Sequence, residues 1–332
     1  MTRYSMKPRV YITRMLPKPA MERINSFCDA KTWDGELPPP REVITSNISD
    51  VEGLVSLLTD KIDADLMDKA PKLKVISNYA VGFDNIDMEA ATKRGIIVAN
   101  TPGVLTETTA DFTFALLMSA ARRVVEGDKV VRAGKWKTWG PMILLGQDVH
   151  GATLGIVGLG RIGVAVARRA KGFGMRIIYY DPNRQKQTEE ELGVQYTEFD
   201  KLLSESDFVT LHTNLTPETH HLIGARQFEL MKKTCILVNT SRGPILDNMA
   251  LYHALRDGRI AYAALDVTEP EPLPPDHPLL TLDNVIVAPH IASASVATRT
   301  KMALMAAENL IAGLKGEMPA NPINPETVKR AR

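Results

Sequence analysis

Three side chains suited to anion binding and proton transfer follow consecutive apolar runs in the second half of the chain. Arg242 comes after "CILVNTS", Glu271 after "YAALDVTEP" and His290 after "NVIVAP". Ligands of open α/β sheets bind beyond the carboxyl ends of the strands, so three such residues at successive strand ends predict one site. A histidine in a stretch such as "VAPHIASAS" is by itself more often structural, and the case for chemistry rests on its companions.

A glycine-rich loop, "GLGRIG", precedes this group. It follows the predicted strand "TLGIV" and opens the predicted helix "IGVAVARRAKGF". In such a loop Gly158 permits a tight turn, Gly160 leaves room for a pyrophosphate, and Gly163 lets the helix approach the strand. The amides at the helix N-terminus then face the phosphates. The spacing predicts a dinucleotide site; flavin enzymes share the motif but usually carry it near the N-terminus.

An acidic residue completes the dinucleotide pattern. Asp181 ends "RIIYYD", eighteen residues after Gly163. A carboxylate at this point accepts hydrogen bonds from ribose hydroxyls and repels a 2′-phosphate, so the expected cofactor is NAD rather than NADP. Arg184 lies close enough in sequence to soften that preference.

The elements that would position these residues form two series of strands alternating with helices, which predicts parallel sheets covered on both faces. The first series comprises "RVYIT" (9–13), "GLVSLL" (53–58), "LKVIS" (73–77) and "IIVAN" (96–100). The second comprises "TLGIVG" (153–158), "RIIYYD" (176–181), "DFVTLH" (207–212), "CILVNTS" (235–241), "YAALDV" (262–267) and "NVIVAP" (284–289).

One long helix is predicted between the two series, from Thr106 to Arg132, and another near the end, from Val296 to Lys315. We expect the last helix to return to the first series. The expected fold is therefore α/β, with two Rossmann/flavodoxin-like domains. A substrate domain would comprise residues 1–103 and 294–332, and an NAD-binding domain, residues 104–293, would be inserted into it.

The composition excludes several classes of protein. The chain carries 40 Lys and Arg against 39 Asp and Glu, which gives no reason to expect a nucleic-acid or acidic membrane partner. No apolar run reaches the length of a membrane helix, and the start lacks the core of a signal peptide. Cys28 and Cys235 are expected to be reduced thiols in a cytoplasmic protein. No metal-ligand spacing is shown by His150, His212, His253 and His277, and no metal is expected; His220 and His221 are expected to face solvent.

Several motifs together resemble those of the D-isomer-specific 2-hydroxyacid dehydrogenases, over essentially the whole chain. They are "GLGRIG", "NTSRGPILD", "ALDVTEPEPL", "APHIAS", "NYAVGFDNID" and "ADFTFALLM". Within the family, "GKWKTWGPMILLG" and "TEPEPLPPDHPLLTLDNVIVAPHIAS" resemble the glyoxylate/hydroxypyruvate reductases. At residues 290–293 the family often has His-Ile-Gly-Ser, whereas this chain has His-Ile-Ala-Ser, with Ala292 in the third position.

The resemblance implies a role for each catalytic residue in reducing a 2-oxo acid. Arg242 would bind the substrate carboxylate and polarise the carbonyl oxygen. His290 would donate the proton, and Glu271 would hydrogen-bond the other ring nitrogen. Further substrate contacts are expected from Leu58, the backbone amides of Val81 and Gly82, Ser293, and Trp139 from a second subunit.

The resemblance also implies the remaining cofactor contacts. Asp266 would meet the nicotinamide carboxamide, and Arg161 and Ile162 would lie under the pyrophosphate. Thr109, Thr213 and Thr240 would line the cofactor, although each could instead be a helix or turn cap. A homodimer is expected, because related chains pair through the region of the 106–132 helix and the following loop.

Alternatives remain within and outside this chemistry. Lactate-type, gluconate-type, phosphoglycerate and phosphite dehydrogenases share the scaffold. Some NAD-sensing corepressors also share the fold and the catalytic trio, although they carry longer tails than the residues after Gly316 provide here.

Overall fold

The structure is a computed structural model that describes residues 6–327. The chain forms two compact units. One comprises Met1–Leu105 with Ser295–Arg332, and the other comprises Thr106–Ala294. Each unit has its own sheet, and every pairing between the strands of these sheets is parallel.

The first unit is a five-stranded sheet with helices. Its strands are β1 (Arg9–Ile12), β2 (Asp29–Thr32), β3 (Gly53–Ser56), β4 (Val75–Asn78) and β5 (Ile97–Ala99). Its helices are α1 (Lys18–Phe27), α2 (Arg41–Ile48), α3 (Ala64–Asp68), α4 (Met88–Lys93) and, from the end of the chain, α12 (Val296–Leu314). The strand order β2-β1-β3-β4-β5 is that of flavodoxin-like sheets.

The helix α12 belongs to the first unit because small residues let it lie close to the sheet. A methyl group on Gly313 would come within 2.6 Å of Val75, and one on Gly53 within 2.7 Å of Leu310. The Ser77 hydroxyl donates to the carbonyl of Ala306 at 2.8 Å. The chain therefore leaves this unit and returns to it 190 residues later.

The second unit is a seven-stranded sheet. Its strands are β6 (Thr153–Val157), β7 (Arg176–Tyr180), β8 (Gln195–Tyr196), β9 (Phe208–Leu211), β10 (Ile236–Asn239), β11 (Tyr262–Leu265) and β12 (Val285–Val287). Its helices are α5 (Thr106–Ala121), α6 (Val124–Arg132), α7 (Arg161–Gly172), α8 (Lys186–Leu192), α9 (Phe199–Glu205), α10 (Ala225–Leu230) and α11 (Asn248–Arg256). Short 3-10 turns occupy Gly243–Ile245 and Pro278–Thr281.

The order β12-β11-β10-β9-β6-β7-β8 is that of a dinucleotide-binding sheet with one added strand. The direction of winding reverses between β6 and β9, and ligands bind at such a reversal. Two apolar cores cover the two faces of this sheet, so its central strands are buried on both sides.

The prediction of a single helix from Thr106 to Arg132 is wrong. α5 ends at Ala121, and Arg123 adopts a left-handed backbone with φ of 52° before α6 begins. The Arg123 guanidinium forms two hydrogen bonds with Glu126, of 2.7 and 2.9 Å. Many residues of α5 are buried, whereas α6 buries none, so the two helices differ in environment.

Among residues 6–327, no helix combines the length and the apolar character needed to cross a bilayer.

Candidate active site

The glycine loop forms a close turn between β6 and α7. Gly158 has φ of +91°, and a methyl group there would come within 2.8 Å of the His212 backbone. A methyl group on Gly163 would come within 2.2 Å of the Gly158 carbonyl. Around Gly160, at the N-terminus of α7, a methyl group would meet no atom within 4 Å. Packing therefore requires glycine at positions 158 and 163, whereas Gly160 keeps space open before the amides at the start of α7.

Asp181 is tied to this loop by its carboxylate. One oxygen accepts a hydrogen bond from the amide of Leu159 at 2.9 Å, and the other accepts from the amide of Asn183 at 2.8 Å. A carboxylate has about four acceptor positions, so further hydrogen bonds to a ligand remain available. The Asp181 side chain is thus fixed to the glycine loop by a hydrogen bond.

Arg184 is held by Glu189 through two hydrogen bonds of 2.8 Å. The hydrogen bond from Arg184, followed by one from the Tyr179 hydroxyl, lowers the pKa of Glu189 to about 2. The Arg184 guanidinium also lies 5.3 Å from the centre of the Tyr196 ring. The Arg184 guanidinium is therefore paired with a carboxylate.

His290 and Glu271 form a direct pair. Their Nδ1 and Oε1 atoms are 2.6 Å apart, and both side chains are partly exposed. His290 has a left-handed backbone with φ of 54°, which is uncommon for a residue other than glycine. Because Glu271 engages Nδ1, the Nε2 atom is the ring nitrogen suited to face a ligand.

Asp266 holds the turn that carries His290. Its carboxylate accepts from the amides of Ile291 at 2.7 Å and Ala292 at 2.8 Å, and its carbonyl accepts from the amide of His290 at 2.9 Å. Burial raises the pKa of the Asp266 carboxyl. Ser293 is the next residue in the same turn and is partly buried. The anchoring role of Asp266 was not part of the prediction from sequence.

Asn239 shapes the turn that carries Arg242. Its amide donates to the Arg242 carbonyl at 3.0 Å, and its oxygen accepts from the amide and hydroxyl of Ser241 at 3.0 and 2.8 Å. A methyl group on Gly243 would come within 1.8 Å of the Thr268 carbonyl. The turn after β10 therefore lies directly against the chain after β11.

The threonines and the first residues of α7 have different environments. Thr240 and Thr113 share a hydrogen bond of 2.9 Å between their hydroxyls, and Thr109 is buried on α5. The Thr213 hydroxyl is buried and has no partner among the described residues. At the start of α7, Arg161 is exposed, whereas Ile162 packs against the core. Of the three predicted threonines, Thr213 is thus the one whose buried hydroxyl has no partner among the described residues.

In the first unit, asparagines hold the predicted substrate loop. Asn100 donates to the Val81 carbonyl at 2.7 Å, and Asn78 donates to the Gly82 carbonyl at 2.9 Å. The amides of Val81 and Gly82 have no acceptor among residues 6–327. The side-chain hydrogen bonds to both carbonyls fix the loop, and the two N–H groups remain available to an external acceptor.

A third asparagine links this loop to Leu58. Asn85 accepts from Asn78 at 3.2 Å and donates to the carbonyls of Leu57 and Asp60, both at 3.0 Å. The Asp60 carboxylate in turn accepts from the amide of Leu57 at 2.7 Å. Leu58, which is partly buried, is therefore carried by a turn that is fixed on both sides.

Trp139 lies in an apolar exposed segment, defined as residues 133–146. Its side chain is 79% exposed, and other large apolar side chains of the segment are also exposed: Trp136, Met142, Ile143 and Leu145. Nothing within one chain covers this surface among the described residues. His220 and His221 are about half exposed, and both approach Glu269 rather than lying free in solvent.

Comparison with known proteins identifies the family. The family model described as "D-isomer specific 2-hydroxyacid dehydrogenase, NAD binding domain" matches residues 114–292. A protein of Korarchaeum cryptofilum named glyoxylate reductase is 61% identical over 325 residues, which cover 98% of each chain. An Aeropyrum pernix protein of the same name is 53% identical over 97% of this chain and 98% of its own. The chain belongs to the D-isomer-specific 2-hydroxyacid dehydrogenases.

Solved structures extend the comparison of this dehydrogenase. A protein from Thermus thermophilus has a TM-score of 0.90 and 48% identity, covering 95% of this chain and 99% of its own. An NADPH-dependent glyoxylate/hydroxypyruvate reductase from Sinorhizobium meliloti, solved with NADP and malonate, has a TM-score of 0.86 and 32% identity. It covers 96% of this chain and 97% of its own. The predicted family and fold class of two parallel-sheet α/β domains are confirmed.

Proposed function

We propose that this dehydrogenase reduces a small 2-oxo acid of the glyoxylate or hydroxypyruvate type to the 2-hydroxy acid, using NADH. The carrying observation is the 2.6 Å contact between Glu271 and Nδ1 of His290. A carboxylate on one ring nitrogen fixes the orientation of the imidazole, so that the other nitrogen is placed to donate a proton to a ligand. The relatives named glyoxylate reductase favour glyoxylate within this class.

The chain's residues fit a nicotinamide dinucleotide. Gly160 leaves open space before the amides of Arg161, Ile162 and Gly163, where a pyrophosphate would bind. Thr213 supplies a buried hydroxyl that lacks a partner, and Asp181 offers acceptors to ribose hydroxyls. We assign the second unit to this cofactor and the first to substrate binding. When bound, the nicotinamide supplies the hydride.

The remaining proposed cofactor contacts involve the nicotinamide half and the glycine loop. Thr109 and Thr240 would line the nicotinamide half, and the remaining acceptor positions of Asp266 would meet its carboxamide. Gly158 would take part through its backbone, because no side chain fits there.

In the proposed reduction, Nε2 of His290 would give a proton to the carbonyl oxygen of the substrate, which becomes the hydroxyl group of the product. Arg242 would bind the carboxylate through its planar fork and polarise the carbonyl. The unpartnered amides of Val81 and Gly82 would bind the same carboxylate, with Leu58 and Ser293 beside it. Asp266 and Asn239 keep the His290 and Arg242 turns in place, which limits the reorganisation needed in the reaction.

NADH is the proposed cofactor in preference to NADPH. A 2′-phosphate would lie against the Asp181 carboxylate, and the nearest cation in sequence, Arg184, is already paired with Glu189. The Sinorhizobium meliloti relative shows that the scaffold can also serve NADP, so the choice depends on local residues rather than on the fold.

A homodimer is proposed on the basis of the exposed segment 133–146. Its large apolar side chains would be unfavourable in water and need a cover. We propose that a second copy of this chain covers these side chains. Trp139 of one copy would then reach the substrate site of the other.

Initial rates with purified protein test the proposal directly. We expect NADH oxidation with glyoxylate and hydroxypyruvate, slower oxidation with pyruvate, and lower kcat/KM with NADPH. If NADH binds tightly and none of these acids is reduced, the proposed substrate class is wrong. Phosphite with NAD would then be tested, followed by an NAD-sensing role without turnover.

A further inference from the structure

Two neighbouring histidines and a distant glutamate bring their ligand atoms together outside the active site. Nε2 of His221 lies 2.6 Å from one carboxylate oxygen of Glu269, and Nε2 of His220 lies 3.6 Å from the other. The ligand atoms of the three side chains all lie within 4.8 Å of one another. The imidazole rings are stacked with their centres 4.0 Å apart.

The backbone holds the two imidazole rings on the same side as the carboxylate. His221 has a left-handed backbone with φ of 50°, and its amide donates to the Pro244 carbonyl at 2.8 Å. The amide of His220 donates to the carbonyl of Thr216 at 3.0 Å. The Glu269 carbonyl accepts from the side chain of Asn248 at 2.6 Å. All three ligands are thus attached to anchored backbone, and the uncommon φ of His221 is maintained by its surroundings.

We propose that His220, His221 and Glu269 bind one divalent transition-metal ion of the zinc class. Two imidazoles and a carboxylate are ligands that zinc accepts at about 2.0–2.2 Å, which separates neighbouring ligand atoms by about 3.3 Å. The His220–Glu269 separation is near that value, and the His221–Glu269 pair would lengthen as the metal replaces the shared proton. Because all three side chains are partly exposed, water can complete the coordination shell.

The site differs from the proposed active site in its residues. Glu269 pairs with His220 and His221, whereas Glu271, two residues later, pairs with His290. The proposal therefore does not depend on the proposed reductase function, and its test measures binding rather than turnover.

Calorimetric titration of chelator-treated full-length protein with zinc chloride, repeated with nickel chloride, tests the proposal. We expect one equivalent per chain, with affinity at least about tenfold weaker in His220→Ala, His221→Ala and Glu269→Gln. His253→Gln removes an exposed histidine elsewhere, and His290→Gln removes the other His–Glu pair. Both controls should bind as the wild type does.

Thermal denaturation without metal shows whether each variant is folded. Zinc should raise the melting temperature of the wild type by more than that of any of the three ligand variants. Absence of stoichiometric binding to the wild type would overturn the proposal. Equal binding by a folded His220→Ala, His221→Ala or Glu269→Gln variant would overturn it as well.

Discussion

Glu271 contributes two separable properties to His290, a hydrogen-bond acceptor and a negative charge. Glu271→Gln keeps an acceptor and removes the charge. We expect kcat for glyoxylate to fall about 10- to 100-fold, a part of the 10²–10⁴ typical of general acid–base catalysis.

Steady-state kinetics of this variant measure the effect on kcat. Glu218→Gln, in an exposed loop, is the control and should behave as the wild type does. A folded Glu271→Gln enzyme with unchanged kcat would show that the carboxylate does not assist His290.

Asp181 should decide the cofactor preference. Asp181→Ala removes the carboxylate that would repel a 2′-phosphate, so the ratio of kcat/KM for NADH to that for NADPH should fall at least about tenfold, or 1.4 kcal/mol. The ratio is measured from initial rates at one saturating acid concentration. An unchanged ratio would mean that Asp181 serves only to hold the Leu159 and Asn183 amides.

Single residues also show which parts of the candidate site can be predicted from sequence patterns. The Arg242, Glu271 and His290 positions stood out because each follows an apolar run. The asparagines that shape the site did not stand out, although Asn78, Asn100 and Asn239 each end or directly follow a strand: "VISN", "IVAN" and "ILVN". Their hydrogen-bond partners depend on turn geometry, which the sequence does not display.

At the scale of elements, the turn after β4 offers a test of how the Val81 and Gly82 amides are held. Asn78→Ala removes the donor to the Gly82 carbonyl and frees the peptide group to rotate. We expect the KM for glyoxylate to rise about tenfold, close to the loss of a hydrogen bond to a charged group, while NADH binding stays unchanged. Asn25→Ala, on the exposed face of α1, is the control.

Steady-state kinetics measure the KM for glyoxylate, and a fluorescence titration measures NADH binding separately. Because Asn78 is buried, a melting curve must first show that the variant is folded. A folded Asn78→Ala enzyme with normal KM would contradict the role assigned to these amides.

The end of β9 should make stability depend on pH. His212 follows that strand, and burial lowers its pKa from 6.5 to about 3. Between these values the unfolded chain binds a proton that the folded chain does not, so stability decreases as the pH falls from 6.5 towards 3. The slope contributed by His212 approaches 1.4 kcal/mol per pH unit.

Melting temperatures of wild type and His212→Asn at several pH values check this expectation. The other titrating groups are common to both proteins, so the difference between the two curves isolates His212. The wild type should lose more stability on acidification. Parallel curves would show that His212 is not buried in its neutral form.

Element prediction failed where the local pattern was weak. The strands β2 ("DAKT") and β8 ("QY") were not predicted, because they lie at sheet edges, are partly exposed and contain no apolar run. The break between α5 and α6 was missed because Arg122 and Arg123 are good helix formers. In the structure, the left-handed backbone of Arg123 separates α5 from α6 although both arginines favour a helix.

At the scale of the whole molecule, the exposed segment 133–146 predicts self-association. Light scattering should give about twice the chain mass of 36.6 kDa. Trp139→Glu places a charge in this surface and should produce monomers with reduced activity. Met249→Glu, a half-exposed apolar residue on α11, should remain dimeric. A monomeric wild type, or an unaffected Trp139→Glu dimer, would refute the assigned interface.

The overall architecture was accessible from sequence because the strands of the two sheets are short and mostly apolar, and because both sheets are parallel. The pairing of His220 and His221 with Glu269 was not, since 48 residues separate the partners. Long-range contacts between loops depend on the completed fold.

The most direct test of the account is the turnover of His290→Gln with glyoxylate, measured together with its affinity for NADH. If His290 donates the proton, kcat should fall at least about 10³-fold, while the NADH dissociation constant stays within about twofold of the wild type. His253→Gln should leave both quantities unchanged. A folded His290→Gln enzyme with near-normal turnover would contradict the central claim.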